Sequence, residues 1–217
     1  MRYGVLGTGE VGRTLAGKLV ELGHEVTLGS RAKDNPVALE WAAGKGDRAR
    51  AGTFAEAAAA AEVVVNAVGG PVALDALRAA GAEHLDGKVL VDVCNPLAFV
   101  DGEARLDPVE SDSVAERIQR AFPHARVVKT LNTINAQVMV DPDRVPGAHN
   151  LFVSGDDAGA KEQVTALLGE LGWPAERVVD LGGLRTARAT EMYLLLWFTM
   201  YRNSGSADFN IEVRRAD

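Results

Sequence analysis

The chain has 217 residues, and 47% of them are hydrophobic, so it can bury a core without disulfide bonds or metal ions. Its 30 acidic and 23 basic residues give a formal net charge of -7, and no run of lysine and arginine is long enough to follow a phosphate backbone. These features exclude nucleic acid from the expected partners.

The cysteine count and the first residues bear on the expected compartment. Cys94 is the only cysteine, so no internal disulfide points to an oxidising environment. The sequence runs directly from Met1 into a glycine motif, which leaves no room for a signal peptide. The longest strongly apolar stretch, residues 192–201, is about half of the roughly 20 residues that a membrane helix needs. We therefore expect a cytoplasmic protein that does not bind membranes.

Short apolar runs alternate with helical patterns through the first two-thirds of the chain, which is typical of a parallel sheet covered by helices. The predicted strands are residues 3–6, 25–28, 48–52, 63–68, 89–93 and 126–129. The first predicted helix carries an apolar stripe and ends at Gly23, and further helices are predicted at 55–61, 72–80 and 114–122. This order predicts an α/β fold with a doubly wound, mainly parallel sheet of the Rossmann type.

After Asn150 the same alternation continues in a shorter form. A strand at 151–153, a capped helix and a strand near 177–180 are predicted to extend the sheet. A last helix, at about 187–202, is apolar on all sides, and such a helix must be buried all round. Because a chain of this length offers little to cover its second side, we predict a homodimer.

A glycine-rich loop follows the first predicted strand and opens the first helix. Its residues are Gly7, Thr8, Gly9, Glu10, Val11 and Gly12. The first glycine permits a tight turn, the second lets the backbone approach a pyrophosphate, and the third allows close helix packing. The first N–H groups of the helix would then face an anion. In this context the loop predicts dinucleotide binding; the alternative is a Rossmann domain that has lost its ligand.

The end of the second strand indicates which dinucleotide is bound. NAD-binding proteins usually carry a carboxylate there for the ribose 2′-hydroxyl, whereas this chain has Ser30, Arg31 and Lys33. Two cations and a hydroxyl are suited to a 2′-phosphate, which a carboxylate would repel. We therefore predict NADP(H). The alternative is that Arg31 and Lys33 belong to a solvated turn.

The ends of the later strands face the crevice in which a nicotinamide would lie. Val68 and Gly69 lie at the end of the fourth strand, Asn95 and Pro96 follow the fifth, and Asn132, Thr133 and Asn135 follow the sixth. Each group is a candidate for contact with the ring or with a substrate carbonyl, and each can also be an ordinary turn. The four histidines have no metal-binding spacing, so no metal site is expected. Buried Cys94 is interpreted as a small apolar filler, and Lys129 and Asp92 as weak candidates for proton transfer.

Several stretches resemble the F420-dependent NADP reductase family. The matching segments are residues 6–12, 22–31, 129–133, 155–157 and 180–188, and the Gly-Ser-Arg turn at 29–31 and the Gly-Gly-Leu-Arg segment at 182–185 are the more specific. The resemblance implies NADP(H) and coenzyme F420 as cofactors, with Thr8, Ser30 and Arg31 serving the nucleotide. It also implies that Asn132, Thr133, Ile134 and Asn135 lie beside the deazaflavin. Members that reduce the deazaflavin commonly carry a histidine at the position of Asn132.

These observations predict an NADP-dependent oxidoreductase that transfers a hydride between NADP(H) and F420 or a related flavin-like acceptor. Residues 1–150 are expected to form the NADP-binding Rossmann domain, and residues 151–217 an extension that completes the acceptor site and the dimer interface. In such a reaction the cofactors carry the chemistry and the protein positions them, so no catalytic side chain is assigned with certainty. Two alternatives remain open: an NADPH-dependent reductase of a small carbonyl or imine compound, and an NADP(H)-sensing binding protein.

Overall fold

The computed structural model describes residues 1–100 and 103–216 of the chain, and those residues form an eight-stranded sheet with a separate two-stranded hairpin. The strands are β1 (Arg2–Leu6), β2 (Glu25–Ser30), β3 (Ala49–Thr53), β4 (Val63–Asn66), β5 (Val89–Asp92), β6 (Leu97–Val100), β7 (Glu103–Leu106), β8 (Arg126–Thr130), β9 (Leu151–Gly155) and β10 (Val178–Asp180). The order in the large sheet is β3-β2-β1-β4-β5-β8-β9-β10, and β6 pairs with β7.

Helices cover both faces of the sheet. They are α1 (Glu10–Glu21), α2 (Pro36–Lys45), α3 (Phe54–Ala60), α4 (Gly70–Ala80), α5 (Val114–Ala121), α6 (Ala136–Val140), α7 (Ala158–Glu170), α8 (Ala187–Met192) and α9 (Leu194–Ser204). One buried cluster joins the sheet to α1, α6 and α7, and a second joins the opposite face to α3, α4 and α5. Successive strand residues point to opposite faces, so Val5 belongs to the first cluster and Leu6 to the second.

The direction of the strands locates the crevice. β1 lies between β2 and β4 and is parallel to both. From β1 the chain continues to β2 on one side of the sheet, and β4 lies on the other side of β1. The helices that follow β1 and β4 therefore pack on opposite faces of the sheet and leave a gap between their first turns. At the far side, β9 runs antiparallel to β8 and parallel to β10. The crevice therefore opens beyond the carboxyl ends of β1 and β4.

The predicted Rossmann-type α/β fold is confirmed. Every predicted strand is present, and each end lies within two residues of the prediction. The sequence interpretation did not identify α2, the β6–β7 hairpin or α6. The antiparallel direction of β9 was also not foreseen, because the hydrophobic pattern of a strand carries no information about its direction. Within residues 1–100 and 103–216, no helix has the length and apolar character needed to cross a membrane.

The last predicted helix differs from expectation. It consists of α8 and α9, separated at Tyr193, whose backbone still has helical φ and ψ. Leu194 is buried, but Leu195 and Leu196 are 48% and 53% exposed, so within one chain this helix is not buried on all sides. The tail beyond α9 returns to the sheet, where the Ile211 carbonyl accepts a hydrogen bond from the Asn150 amide at 2.9 Å.

Candidate functional site

A cavity of about 630 Å³ opens at the carboxyl ends of β1, β2 and β4. Its lining comes from the loops after these three strands, from α3 and from one side of α4: Gly7, Thr8, Gly9, Ser30, Arg31, Asn35, Phe54, Ala67, Val68, Gly69, Val72, Asp75, Ala76 and Ala79. The walls are mostly apolar, and the polar groups are concentrated on the loops. This distribution is typical of a pocket for a large organic ligand with an anionic portion.

The glycine loop is shaped by three different steric demands. Gly7 has a φ of +116°, and a Cβ there would lie 2.7 Å from the Ala67 carbonyl oxygen. A Cβ at Gly12 would lie 2.0 Å from the Gly7 carbonyl oxygen, so only glycine lets α1 start this close to β1. A Cβ at Gly9 would meet nothing within 4 Å. Glycine at position 9 therefore leaves room for a ligand, which is the role that the sequence predicts.

Two helices begin at the cavity without a side-chain cap. Gly9 is the N-cap of α1 and Gly69 is the N-cap of α4, and neither helix start receives a side-chain hydrogen bond. At α1 the free amide groups and the helix dipole favour an anion in front of them. At α4 the Gly70 amide already donates to the Asn95 carbonyl and Pro71 has no N–H, so this helix start contributes only its dipole. Beside the loop, Glu10 is exposed, and Val11 packs against the core behind it. This geometry fits the pyrophosphate of a dinucleotide.

The end of β2 supplies a free cation. The Arg31 side chain lines the cavity, is exposed, and has neither a hydrogen bond nor an ion pair to any described residue. Ser30 is buried, and its hydroxyl donates to the Ala32 carbonyl at 2.5 Å, which fixes the turn that presents Arg31. The Asn35 side chain caps α2 by accepting from the Ala38 amide at 3.1 Å and also reaches the cavity. An unpaired guanidinium at this position fits a ribose 2′-phosphate.

Lys33 is engaged elsewhere. Its Nζ lies 2.6 Å from Oε1 of Glu56, and it does not line the cavity. Glu56 also completes the capping box of α3 with Thr53. The hydrogen bond from Lys33, together with the Thr53 amide, lowers the pKa of Glu56 below its usual value. The structure thus brings Ser30 and Arg31 to the cavity, while Lys33 is held by a surface carboxylate.

The predicted residues after β5 and β8 form a second group, adjacent to the cavity but not in its lining. Nδ2 of Asn95 donates to the Asn132 carbonyl at 2.8 Å, and Nδ2 of Asn132 donates to Oδ1 of Asn95 at 3.0 Å. The Asn95 carbonyl accepts from the amide of Gly70, at the start of α4, at 3.1 Å. The cavity and the β5–β8 loops are therefore connected through the backbone of α4.

The other residues of this group are largely structural in the described chain. Pro96, Thr133 and Ile134 are buried. Oδ1 of Asn135 caps α6 by accepting from the amides of Gln137 and Val138 at 2.8 and 2.9 Å. Its Nδ2 donates to the carbonyl of Ala207 and to Asp208, in the C-terminal tail. Asn135 therefore fixes the end of the chain near β8.

A buried charge cluster lies behind these loops. Lys129 Nζ is 2.9 Å from Oδ2 of Asp92 and 2.8 Å from Oε1 of Glu191, and its side chain is 1% exposed. Burial opposes the ammonium charge, but the carboxylates of Asp92 and Glu191 outweigh this effect and raise the pKa of Lys129 above its usual range. Burial and the nearby Asp92 carboxylate raise the pKa of the Cys94 thiol well above its usual value. Lys129 thus stays charged, and Cys94 stays a neutral thiol as the sequence indicates.

The sequence interpretation missed several residues of the cavity and of the buried charge cluster, among them Asn35, Phe54 and Glu191. Asn35 precedes Pro36, a pattern typical of a helix start, so its position near the end of β2 was an available signal. Phe54 contributes an aromatic wall to the cavity, and nothing in its local sequence predicted that role. Glu191 is three residues from Arg188, a spacing that also suits a pair on a helix surface, but Arg188 pairs with Glu116 at 2.6 Å instead.

No three His, Cys, Asp or Glu side chains come together as a potential metal site within the described ranges. The parallel sheet, the glycine loop at its switch point and the free cation at the end of β2 define the chain as an NADP-dependent oxidoreductase of the Rossmann type. Residues 2–96 match the family described as NADP oxidoreductase, coenzyme F420-dependent.

Comparison with similar proteins identifies the family to which the chain belongs. The chain is 30% identical over 201 residues to the F420-dependent NADP reductase of Methanothermobacter marburgensis, which covers 88% of both proteins. A crystal structure from Arthrobacter sp. FB24, of a protein proposed to be an F420-dependent NADP reductase, is 48% identical, covers 99% of both chains and has a TM-score of 0.91. The chain belongs to the F420-dependent NADP reductase family, and membership implies NADP(H) and F420 as its cofactors.

One curated relative is much longer. The metalloreductase STEAP3 of Rattus norvegicus is 32% identical over 190 residues, which are 88% of this chain. The chain spans only 36% of the length of that protein. The similarity therefore concerns one portion of STEAP3.

Proposed function

We propose that this protein transfers a hydride between NADP(H) and coenzyme F420. The observation that carries the proposal is the unpaired Arg31 at the rim of a cavity into which the uncapped start of α1 also opens. Its 48% identity to the Arthrobacter protein over 99% of the chain supports F420 as the acceptor.

The chain's own residues would bind and orient the two cofactors. The backbone from Gly7 to Gly12 accommodates the pyrophosphate, and Ser30 and Arg31 bind the 2′-phosphate. Phe54 and the apolar side of α4 enclose the adenine end. Val68 and Gly69, followed by Asn95 and Pro96, lie along the path from the cavity towards β8.

The acceptor side is assigned to the loop after β8 and to the C-terminal extension. When both are bound, NADPH would supply a hydride and solvent a proton for the reduction of the deazaflavin, and the chain would hold the two rings together. Asn132, Thr133, Ile134 and Asn135 form the floor beside which the deazaflavin would lie. Asn135 bonds to the tail at Ala207 and Asp208, so the loop after β8 and the C-terminal extension adjoin each other in this assignment.

The direct test is turnover of purified protein with NADPH and F420. We expect the absorbance of oxidised F420 to fall, with one NADPH consumed for each F420 reduced. NADPH consumption with a small carbonyl or imine compound, but not with F420, would show that the acceptor is that compound and would contradict the proposal. Tight NADPH binding without consumption by any acceptor would instead support a sensing protein and would contradict the proposal.

We also propose that two chains associate through the C-terminal helix. Met192, Leu195, Leu196 and Tyr201 are between 40% and 53% exposed on α8 and α9, and a run of large apolar side chains in water is costly. A second copy of the chain would cover them. The cytoplasm remains the proposed compartment, since a chain with one cysteine has no internal disulfide that would point to an oxidising environment.

A further inference from the structure

The carboxyl ends of three neighbouring strands carry a row of buried polar side chains. Asn66, Asp92 and Lys129 are register partners across β4, β5 and β8. Nδ2 of Asn66 donates to Oδ1 of Asp92 at 2.8 Å, and Lys129 Nζ donates to Oδ2 of the same carboxylate at 2.9 Å. Glu191 reaches this row from α8, with Oε1 at 2.8 Å from Lys129 Nζ. The ammonium group therefore joins the sheet to the C-terminal extension.

Glu191 is also held by the start of α5. Its Oε2 accepts from the Val114 amide at 2.8 Å, and its Oε1 accepts from the Ala115 amide at 3.2 Å. One ammonium and two carboxylates leave one excess negative charge in the core, and the amides at the start of this helix balance it. Every charge in the cluster is thus compensated by a hydrogen-bonded partner.

Stability alone does not account for this cluster. Removing three charges from water is costly, and apolar side chains of similar volume usually stabilise a core as well or better. Unlike an apolar core, an ion cluster fixes the relative positions of the elements that carry it, because its hydrogen bonds are satisfied in only one arrangement. A geometric role is therefore indicated.

The bonds of Lys129 lead to both sides of the proposed reaction. On one side its Nζ donates to the carbonyl of Cys94. Cys94 precedes Asn95, and the side chain of Asn95 forms two hydrogen bonds with Asn132. On the other side Glu191 lies near the end of α8, directly before α9. The nicotinamide-side loop and the acceptor-side helix thus contact the same ammonium group.

We infer that Lys129 and Glu191 are positioning residues for hydride transfer, which together hold the loop after β5 and the C-terminal helix at one separation. The inference rests on the proposed function, because it concerns the distance between two bound ring systems. The ammonium group of Lys129 is occupied by its bonds to Asp92, Glu191 and the Cys94 carbonyl, and it does not line the cavity, so its contribution is to position these elements. A displacement of about 1 Å between reacting groups can lower a rate by about 100-fold.

The variant that tests this inference is Glu191→Gln. It leaves Lys129 and Asp92 as a charge-balanced pair, whereas Lys129→Met would leave two buried carboxylates without a cation and is expected to unfold the protein. We expect kcat with F420 to fall by about 10- to 100-fold, while the dissociation constant of NADPH, read from its fluorescence, stays within about twofold. The reason is that neither residue lines the dinucleotide cavity.

Arg188→Met is the matched control. Arg188 is also on α8 and also bonds to α5, through Glu116, so the variant removes an ion pair between the same two helices without touching Lys129. We expect a lower thermal midpoint and a kcat within about threefold of wild type. Asn95→Ala removes the hydrogen bonds between the loop after β5 and Asn132. It should lower kcat as Glu191→Gln does, so it tests the inference even if Glu191→Gln folds poorly.

The outcomes separate the two proposals. An inactive wild-type protein overturns the proposed function and this inference with it. If the wild type reduces F420 and folded Glu191→Gln keeps its kcat, the inference alone is wrong. It is also wrong if kcat and NADPH affinity fall together by the same factor, because a general loss of structure would act on both.

Discussion

Asn95 and Asn132 bond to each other across the carboxyl ends of β5 and β8, and each of their side chains donates to the other residue. The two distances are 2.8 Å from Nδ2 of Asn95 to the Asn132 carbonyl and 3.0 Å from Nδ2 of Asn132 to Oδ1 of Asn95. Asn132 is 4% exposed, so its amide has little access to solvent in this chain. The pair therefore ties the loop after β5 to the loop after β8.

Asn132→Ala should destabilise the protein. The substitution removes the hydrogen bond to Oδ1 of Asn95, which is half-buried, and the net contribution of such a bond is about 0.5–1.5 kcal/mol. We expect the free energy of unfolding, measured with urea, to fall by about this amount. Gln137→Ala, at an exposed position of α6, is the control and should change it by less than about 0.5 kcal/mol. Equal values for the two variants would show that the pair contributes nothing.

Gly9→Ala and Gly12→Ala separate ligand binding from folding within one loop. Gly9 has φ of -69° and ψ of 179°, which alanine adopts easily, and its Cβ would enter open space. We expect normal stability but an NADPH dissociation constant raised by about tenfold or more, because the methyl group occupies the approach of the pyrophosphate.

Gly12→Ala places a Cβ at 2.0 Å from the Gly7 carbonyl oxygen, so it should lower the free energy of unfolding by about 1–3 kcal/mol. Parallel denaturation and NADPH titrations distinguish the two effects. If Gly9→Ala bound NADPH as tightly as wild type, the pyrophosphate would not lie at the start of α1.

The features that sequence predicted well are local. The glycine loop and the strand ends are encoded by residues adjacent in the chain, so Gly7, Gly9 and Arg31 reach the cavity as expected. The contact of Lys129 with Glu191 joins residues far apart in sequence, and no periodicity indicates it. Likewise, Lys33 was assigned to the phosphate because it follows Arg31, but its ammonium is paired with Glu56.

Acid should remove a contribution of Asp112 to stability. Its carboxylate accepts from Arg117 at 3.0 Å and from Arg120 at 2.7 Å. Burial alone would raise the pKa of Asp112, but the hydrogen bonds from Arg120, Arg117 and Ser113 outweigh burial and lower it to about 2, from 3.8. A lowered pKa means that the stabilisation is fully present above about pH 4 and is lost as the pH falls towards 2.

Denaturation of Asp112→Asn as a function of pH tests this expectation. The variant should be less stable than wild type near neutral pH, and the difference should shrink between about pH 4 and pH 2. Exposed Asp86→Asn, whose side chain has no hydrogen bond to a described residue, should show no such convergence. A constant difference over the whole range would contradict the assignment.

Leu196→Arg should dissociate the proposed dimer. Leu196 is 53% exposed on α9, and a charge at the centre of an apolar interface is strongly unfavourable. We expect sedimentation to give the mass of two chains for wild type and of one chain for the variant. Leu39→Arg, on α2 at a position that is 49% exposed, is the control and should keep the wild-type mass. A monomeric wild type would contradict the dimer.

The most direct test of the account is calorimetric titration of NADPH and NADH into wild type, Arg31→Ala and Lys33→Ala. Arg31 is the unpaired cation at the cavity, whereas Lys33 is 2.6 Å from Glu56. We expect wild type to bind NADPH at least about tenfold tighter than NADH, and Arg31→Ala to lose this preference through weaker NADPH binding alone. Lys33→Ala should retain most of it. Equal affinity of the wild type for the two dinucleotides would contradict the account.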